Sequence, residues 1–343
     1  MAKRVLLTGA NGFLGSHILS LLLKSSYSVR AIVRSQSKAD QVRRDFPEAG
    51  ASLDFGIVPD ITFPHAFDSV IQSQPPFDAV IHTASPYLYA VASDNLRDFL
   101  EPAVKGTEEI LRSIHSHAPS VKRVVMTSSM AAVLDFGAGD NGKIYTEKDW
   151  NPTTWEEAVE GNLGTGYRGS KKFAEKAAWD FISKEKPNFD LVVLCPPMIY
   201  GPLAHSIASI KDLNESNKRI YDLFINTSPS ADLPPNGLYL YVDVRDIAHA
   251  HILSLTSPVA GNNRFLILAG QISSQQISDI LRSKIPELEA RTPVGKPGES
   301  GLPEGAFSAE SEEARRVLGV EYRGAEETFG ELGRELVGIE GRG

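Results

Sequence analysis

The chain holds a single cysteine, Cys195, so no disulfide can close within it. One unpaired thiol fits a reducing compartment. No activating group is evident beside it, and it reads as a small buried hydrophobe rather than a nucleophile. Long apolar runs are also missing. The opening MAKRVLLTGANGF superficially resembles a secretion signal, but only VLL separates the basic residues from Thr8. Nothing approaches the roughly 18 apolar residues of a membrane span. The expectation is a soluble, cytoplasmic protein. Basic side chains are outnumbered, 35 against 43 acidic, for a net charge of −8. That balance argues against non-specific binding to nucleic acid or to an anionic membrane. Metal-ligand patterns are absent as well: there are no paired cysteines and no HExxH, and His249 and His251, two apart on a helix, do not share a face. No internal repeat or low-complexity tract is evident.

What is present is a rhythm. Short apolar runs at 4–7, 27–33, 53–58, 78–84, 122–129, 190–196 and 264–270 read as strands, with helical patterns such as GSHILSLLLKSS and EEILRSIHSHA between them. Such alternation predicts an α/β fold, a doubly wound parallel sheet with helices on both faces. Runs apolar at consecutive positions, such as VVLC, suit strands covered on both sides. After residue 196 the rhythm breaks. One helical stretch is expected over about 206–225, followed by a loop at SPSADLPPNG, then a short strand leading into a helix that Asp243 caps, with Asp246 in its first turn. Segment 284–310 reads as loop and the terminal GIEGRG as a frayed tail. The expected division is a main domain of 1–196 and 238–270 and a smaller, discontinuous α/β substrate lobe of 197–237 and 271–343.

Gly9, Gly12 and Gly15 directly follow the first strand and open a helix, with Asn11, Phe13 and Leu14 completing the turn. Glycines there permit a tight turn and let a pyrophosphate approach the N–H groups of a helix N-terminus, the dinucleotide signature of a Rossmann-type sheet. The end of the second strand chooses the dinucleotide. It carries Arg34, Ser35 and Lys38 in place of the acidic residue that binds a ribose 2′-hydroxyl, which favours NADP(H). Solvated loop charges are the plain alternative for Arg34 and Lys38. Asp60 and Ile61 are placed to meet the adenine edge. Thr83, Ala84 and Ser85 end the fourth strand beside the ribose and pyrophosphate, while His82 reads as a core histidine. Pro196 ends the sixth strand and is expected among the cofactor contacts.

Ligands of open parallel sheets sit beyond the carboxyl ends of the strands. Ser128 and Ser129 end the fifth strand there. Tyr167 and Lys171, in YRGSK, are one helical turn apart and share a face. An ammonium beside a phenol favours the phenolate and makes the tyrosine a usable acid or base near neutrality. The small residues around the pair are expected to leave room for a cofactor. Taken singly, Ser129 could cap a strand end, Lys171 could be a solvated charge and Tyr167 a rim aromatic. The joint spacing argues against all three at once.

TGANGFLG, TSS, YRGSK and YVDVRDIAHA together resemble the extended short-chain dehydrogenase/reductase family. RSQSK, PDI, HTASP, WNPTTW, GSKKFAEKAAW and PVGKPG are further similar to fungal NADPH-dependent methylglyoxal/isovaleraldehyde reductases, relatives of dihydroflavonol and cinnamoyl-CoA reductases. The resemblance spans essentially the whole chain. It implies a catalytic set of Ser129, Tyr167 and Lys171, with further cofactor contacts at Ile199 and Ser216. It also implies carbonyl reduction: hydride from NADPH, a hydrogen bond from Ser129, a proton from Tyr167, and Lys171 on the nicotinamide ribose. Many members carry an asparagine where this chain has Ala103, a departure that removes one part of their proton relay. The substrate pocket is expected from Tyr87, Ser129, Leu134, Leu163 and Met198. Its apolar character favours a small aldehyde, ketone or α-dicarbonyl, handled by a monomer or homodimer. Two other readings stay open. One is a nucleotide-sugar epimerase or dehydratase, which would need a diphosphate site in the small lobe. The other is a non-catalytic NADP-sensing regulator.

Overall fold

The computed structural model describes residues 3–85 and 92–341. Among them the strands, in chain order, are β1 (Arg4–Thr8), β2 (Ser28–Val33), β3 (Leu53–Ile57), β4 (Ala79–His82), β5 (Arg123–Thr127) and β6 (Ile144–Tyr145), then β7 (Asp190–Cys195), β8 (Met198–Tyr200), β9 (Leu240–Asp243), β10 (Asn263–Leu266), β11 (Gly270–Gln271) and β12 (Ser308–Ala309). The α-helices are α1 (Phe13–Lys24), α2 (Gln36–Asp45), α3 (Glu101–His117), α4 (Trp155–Glu160), α5 (Leu163–Glu185) and α6 (Glu215–Ile220), then α7 (Val244–Thr256), α8 (Ser274–Lys284), α9 (Pro286–Glu289), α10 (Glu312–Leu318) and α11 (Ala325–Glu340).

Seven strands form one parallel sheet in the order β3-β2-β1-β4-β5-β7-β10. The strands alternate their side chains between two cores, as a pleat requires. Val5 and Leu7 of β1 enter the cluster under α1, α2 and α7, while Leu6 enters the one under α3 and α5. This two-sided burial is why the strands are apolar at consecutive positions. The crossovers change direction at β1, whose neighbours are β2 and β4, and open a crevice at that switch point.

Beyond the sheet the chain departs from the expected division. Strand β9 is not in the main sheet; it pairs in parallel with β8 and antiparallel with β11 in a separate three-stranded sheet. The apolar run 264–270 is therefore shared: β10 closes the main sheet, and Ala269 bonds to Tyr241 in the smaller one. Helix α7 packs on α1 and belongs with the main domain. So does α10, because Ala314, Leu318 and Val320 are buried in the same core as α1, although the sequence rhythm assigned all of 271–343 to the lobe. The helix expected over 206–225 is shorter. Ser209 caps a single 3₁₀ turn at Ile210–Asp212, and α6 with the wide turn Tyr221–Ile225 follows. The lobe keeps its own core of Tyr200, Phe224, Tyr241, Leu281 and Phe329.

Docking of α10 on the main core makes a specific prediction. Leu318→Ala should destabilise the chain by about 2–4 kcal/mol, read as a shifted urea midpoint of the main transition. An effect confined to a separate transition of the lobe would contradict this placement.

Candidate active site

The fingerprint turn is built by close contact. Gly9 takes φ +71°, and a Cβ there would lie 2.6 Å from Thr83 Oγ1. A Cβ on Gly15 would lie 2.0 Å from the Gly9 carbonyl oxygen, so this glycine seats α1 on the turn. Gly12 differs. It is exposed, and a Cβ there would meet only the Gly9 oxygen, at 3.2 Å. It is also the N-cap of α1 with no side-chain cap, so the first N–H groups of Phe13, Leu14 and Gly15 face outward in the manner a pyrophosphate needs. Asn11 is half-buried beside them. A dinucleotide diphosphate fits this cradle.

Thr8 locks the neighbouring strand end to the turn. Its hydroxyl accepts from the Thr83 and Ala84 N–H groups, both at 3.1 Å, and its carbonyl accepts from Thr83 Oγ1 at 2.7 Å. The Thr8 hydrogen is then left for His82 Nδ1, 2.9 Å away. That fixes the neutral tautomer with its hydrogen on Nε2. Burial, helped by the charge of Lys171, pushes the His82 imidazole down to about 4.

At the adenosine side, Arg34 and Lys38 are exposed after β2, with Lys38 Nζ 3.1 Å from Gln41 Oε1. Ser35 caps α2. Asp60 folds back on Thr62, accepting its N–H at 2.9 Å, and Ile61 packs where a Cβ on Gly106 of α3 would be. Ile61, His82, Ser85, Ala103, Lys171 and Glu175 are among the residues around a cavity of about 20 Å³ behind the crevice.

Helix α5 carries the candidate catalytic pair, Tyr167 and Lys171. Asn162 caps it, accepting from the Thr165 N–H at 3.0 Å. Asn95 donates to the carbonyls of Ala158 at 3.0 Å and Gly161 at 2.8 Å, which sets the turn before it. Gly166 and Gly169, near Tyr167 and Lys171, serve this packing, whereas the sequence reading expected the small residues there to leave room for a cofactor. A Cβ on Gly166 would strike Asn95 at 2.3 Å, and one on Gly169 would strike Ala158 at 2.4 Å. Tyr167 stands edge-on to Phe99, with centroids 6.2 Å apart. Lys171 Nζ lies 5.9 Å from the Tyr167 ring centre and donates to Ser85 Oγ at 2.8 Å. Burial pushes the Lys171 ammonium down to about 8.

Ser129, at the end of β5, is half-buried and accepts from the Ala131 N–H at 3.1 Å. Its own hydrogen remains available to an oxygen in the crevice. Pro196 is buried, and its carbonyl accepts from the Met130 N–H at 2.9 Å, which holds this turn against β7.

One expected contact is corrected. Leu134 is 1 % exposed and packs in the core under α3 and α5, so it does not line a pocket. Ser216 donates to the Ile199 carbonyl and accepts from Asn214 Nδ2 at 2.7 Å. Its hydrogen is thus committed to β8, while one acceptor lone pair stays open. Ile199 and Met198 are half-buried on β8. Leu163 packs with Tyr167 and Phe99. Tyr87 lies outside the described residues. Sequence reasoning missed Thr8, Asn95, Glu175 and Arg264. Only the last two carried a signal, as oppositely charged side chains in apolar stretches. Cys195 is buried, and its environment pushes the thiol up, against a nucleophilic role. Among the described residues, no group of His, Cys, Asp and Glu is placed to hold a metal, and no helix is long and apolar enough to cross a membrane.

A parallel sheet with a glycine turn at its switch point and a Tyr–Lys helix face beside it defines a dinucleotide-binding α/β protein of the Rossmann class. Residues 5–268 match the model of the NAD dependent epimerase/dehydratase family, and the chain belongs to that family. It is 40 % identical over 324 residues to the ketoreductase azaE of Aspergillus niger, covering 94 % of each chain. It is 37 % identical over 345 residues to the NADPH-dependent methylglyoxal reductase GRE2 of Saccharomyces cerevisiae, covering 98 % of this chain and 99 % of the relative. The crystal structure of yeast methylglyoxal/isovaleraldehyde reductase Gre2 complexed with NADPH superimposes with a TM-score of 0.91 at 36 % identity, over 99 % of both chains.

The Lys171 ammonium gives a pH prediction. Its charge is present below about pH 8 and lost above, so turnover should fall as pH rises through that value. Lys171→Met should lower turnover throughout and remove this limb. A wild-type profile without it would contradict the assignment.

Proposed function

We propose that this chain is an NADPH-dependent carbonyl reductase acting on a small aldehyde, ketone or α-dicarbonyl, with Tyr167 as the general acid. Its relatives are named ketoreductases and NADPH-dependent reductases, which makes the enzyme class and the NADP(H) cofactor the firm part of this reading. The substrate and the roles of individual residues are the inferred part. The observation that carries them is Lys171: a dehydrated ammonium bonded to Ser85, one helical turn from Tyr167, beside the glycine turn.

The N-terminus of α1 would hold the pyrophosphate, Arg34 and Lys38 the 2′-phosphate, Asp60 and Ile61 the adenine edge, and Lys171 the nicotinamide ribose. Bound NADPH supplies the hydride that reaches the carbonyl carbon. Ser129 donates its free hydrogen to the carbonyl oxygen and fixes its orientation. Tyr167 delivers the proton to that oxygen as charge builds there, and the neighbouring ammonium stabilises the anion left on the tyrosine. Positioning and acid catalysis are the protein's contribution, the latter about 10²–10⁴-fold. Met198, Leu163 and Ile199 supply apolar surface, which suits a compact carbonyl compound better than a phosphorylated or CoA-linked one.

The test is NADPH oxidation against aldehydes, α-dicarbonyls, ketones and CoA thioesters, repeated with NADH. Tyr167→Phe should reduce kcat by about 10²-fold or more while leaving NADPH affinity nearly intact; equal loss of both would argue against the acid role. Arg34→Ala should weaken NADPH by about 10- to 100-fold, the scale of a charged hydrogen-bond pair, with NADH little changed. If both cofactors weaken alike, Arg34 does not read the 2′-phosphate.

A further inference from the structure

Below the Tyr167–Lys171 pair, one turn further along the same face of α5, Glu175 is fully buried. Its carboxylate is a junction. Ser128 Oγ donates to Oε2 at 2.5 Å, Trp179 Nε1 donates to Oε1 at 3.2 Å, and Cys195 Sγ lies 3.6 Å from Oε2. Arg264, 7 % exposed at the side chain, brings Nε to 2.6 Å from Oε1 and donates from Nη2 to Oε2 at 3.2 Å. The Nε contact is electrostatic only, since its geometry is not that of a hydrogen bond. Arg264 is also held from outside: it donates to the Asp149 carbonyl at 2.6 Å and its guanidinium lies 3.9 Å from the Trp150 ring centre. One carboxylate thus ties α5 to the ends of β5 and β7 and to β10.

Burying this pair is expensive, and apolar packing would serve stability as well or better. The place of the junction suggests what it does. Ser128 immediately precedes Ser129, which is extended at φ −162°, ψ 152°. Backbone bonds from Ser128 N to Leu194 O, 2.7 Å, and from Met130 N to Pro196 O, 2.9 Å, fix this turn within the plane of the sheet. The turn that follows, Met130–Ala132, packs on α5 through buried side chains, and the Ser128–Glu175 bond is the polar restraint toward α5 at the strand end itself. We propose that Glu175 is a positioning residue: by accepting the Ser128 hydroxyl, with Arg264 holding the carboxylate in place, it sets the distance between Ser129, just beyond β5, and the Tyr167–Lys171 face of α5. The inference rests on the carbonyl-reductase reading, in which Ser129 and Tyr167 share one carbonyl oxygen and Lys171 stands beside the tyrosine.

The test separates position from stability. Ser128→Ala removes only the hydroxyl and should leave the melting temperature and NADPH affinity close to wild type, yet lower kcat by about 10- to 100-fold, the scale of a sub-ångström to 1 Å misplacement. Ser128→Thr, which restores the hydroxyl, should recover most of that loss. Glu175→Gln should lower kcat similarly where it folds, and adding Ser128→Ala to it should cost little more, since both break one bond. Wild-type kcat in Ser128→Ala, or no rescue by threonine, would overturn the inference. Tyr167→Phe, measured alongside, distinguishes the two levels: a silent Tyr167→Phe removes the acid role on which the inference rests, whereas an inactive one beside a normal Ser128→Ala removes only the role of Glu175.

Discussion

An ammonium carried into the end of a parallel sheet loses hydration, and in this protein the loss is not made good by a carboxylate on its own helix face. Lys171 donates to the neutral Ser85, and the carboxylate one turn on, Glu175, is engaged by Arg264, Trp179 and Ser128. His82, the other ionisable group close by, is kept neutral by burial and by the lysine's own charge. The result is a cation poised near neutrality whose positive field is directed at Tyr167 and at whatever anion occupies the crevice. The geometry around it, from the Thr8 bracket to the Asn95 clamp on the α4–α5 turn, holds that field in place.

The second lobe is joined to the sheet by a polar seam. Asp243, fully buried at the start of α7, accepts from Arg245 and from Thr328 of α11. Arg245 reaches on to Glu331 at 2.6 Å, and Asp246 pairs with Arg323. Because α7 also packs on α1, the lobe is referenced to the helix that follows the glycine turn. Segment 201–209 adds to this: His17 Nε2 bonds to the Pro202 carbonyl at 2.8 Å and Ser16 Oγ to His205 Nδ1 at 3.1 Å. Burial keeps both imidazoles neutral, His17 down to about 4. The apolar wall supplied by β8 is therefore held at a defined place relative to the phosphate cradle.

Much of this was legible in the amino-acid order. The glycine turn, the basic pair after β2, the TSS at a strand end and the i, i+4 tyrosine and lysine are local patterns, each set within a few residues by backbone geometry. The lobe boundaries were less legible. Helix α10 looks like any short charged helix, and nothing within it says that Ala314 and Leu318 insert into a core whose other residues lie near the start of the chain. Leu134 illustrates the same limit: an apolar residue just past the TSS turn is a plausible pocket wall until it is seen packed under α3 and α5.

The sequence by itself determined the strand–helix alternation, the cofactor end and the identity of the candidate catalytic pair, because period, turn chemistry and helix faces are properties of neighbours in the chain. Only the tertiary structure decided which charges lose their water and who compensates them. Nothing in the order of letters says that Lys171, Glu175 and Arg264 are dehydrated together until β4, β5, β7 and β10 bring their ends together, and dehydration is a property of that assembled surrounding rather than of any residue in it.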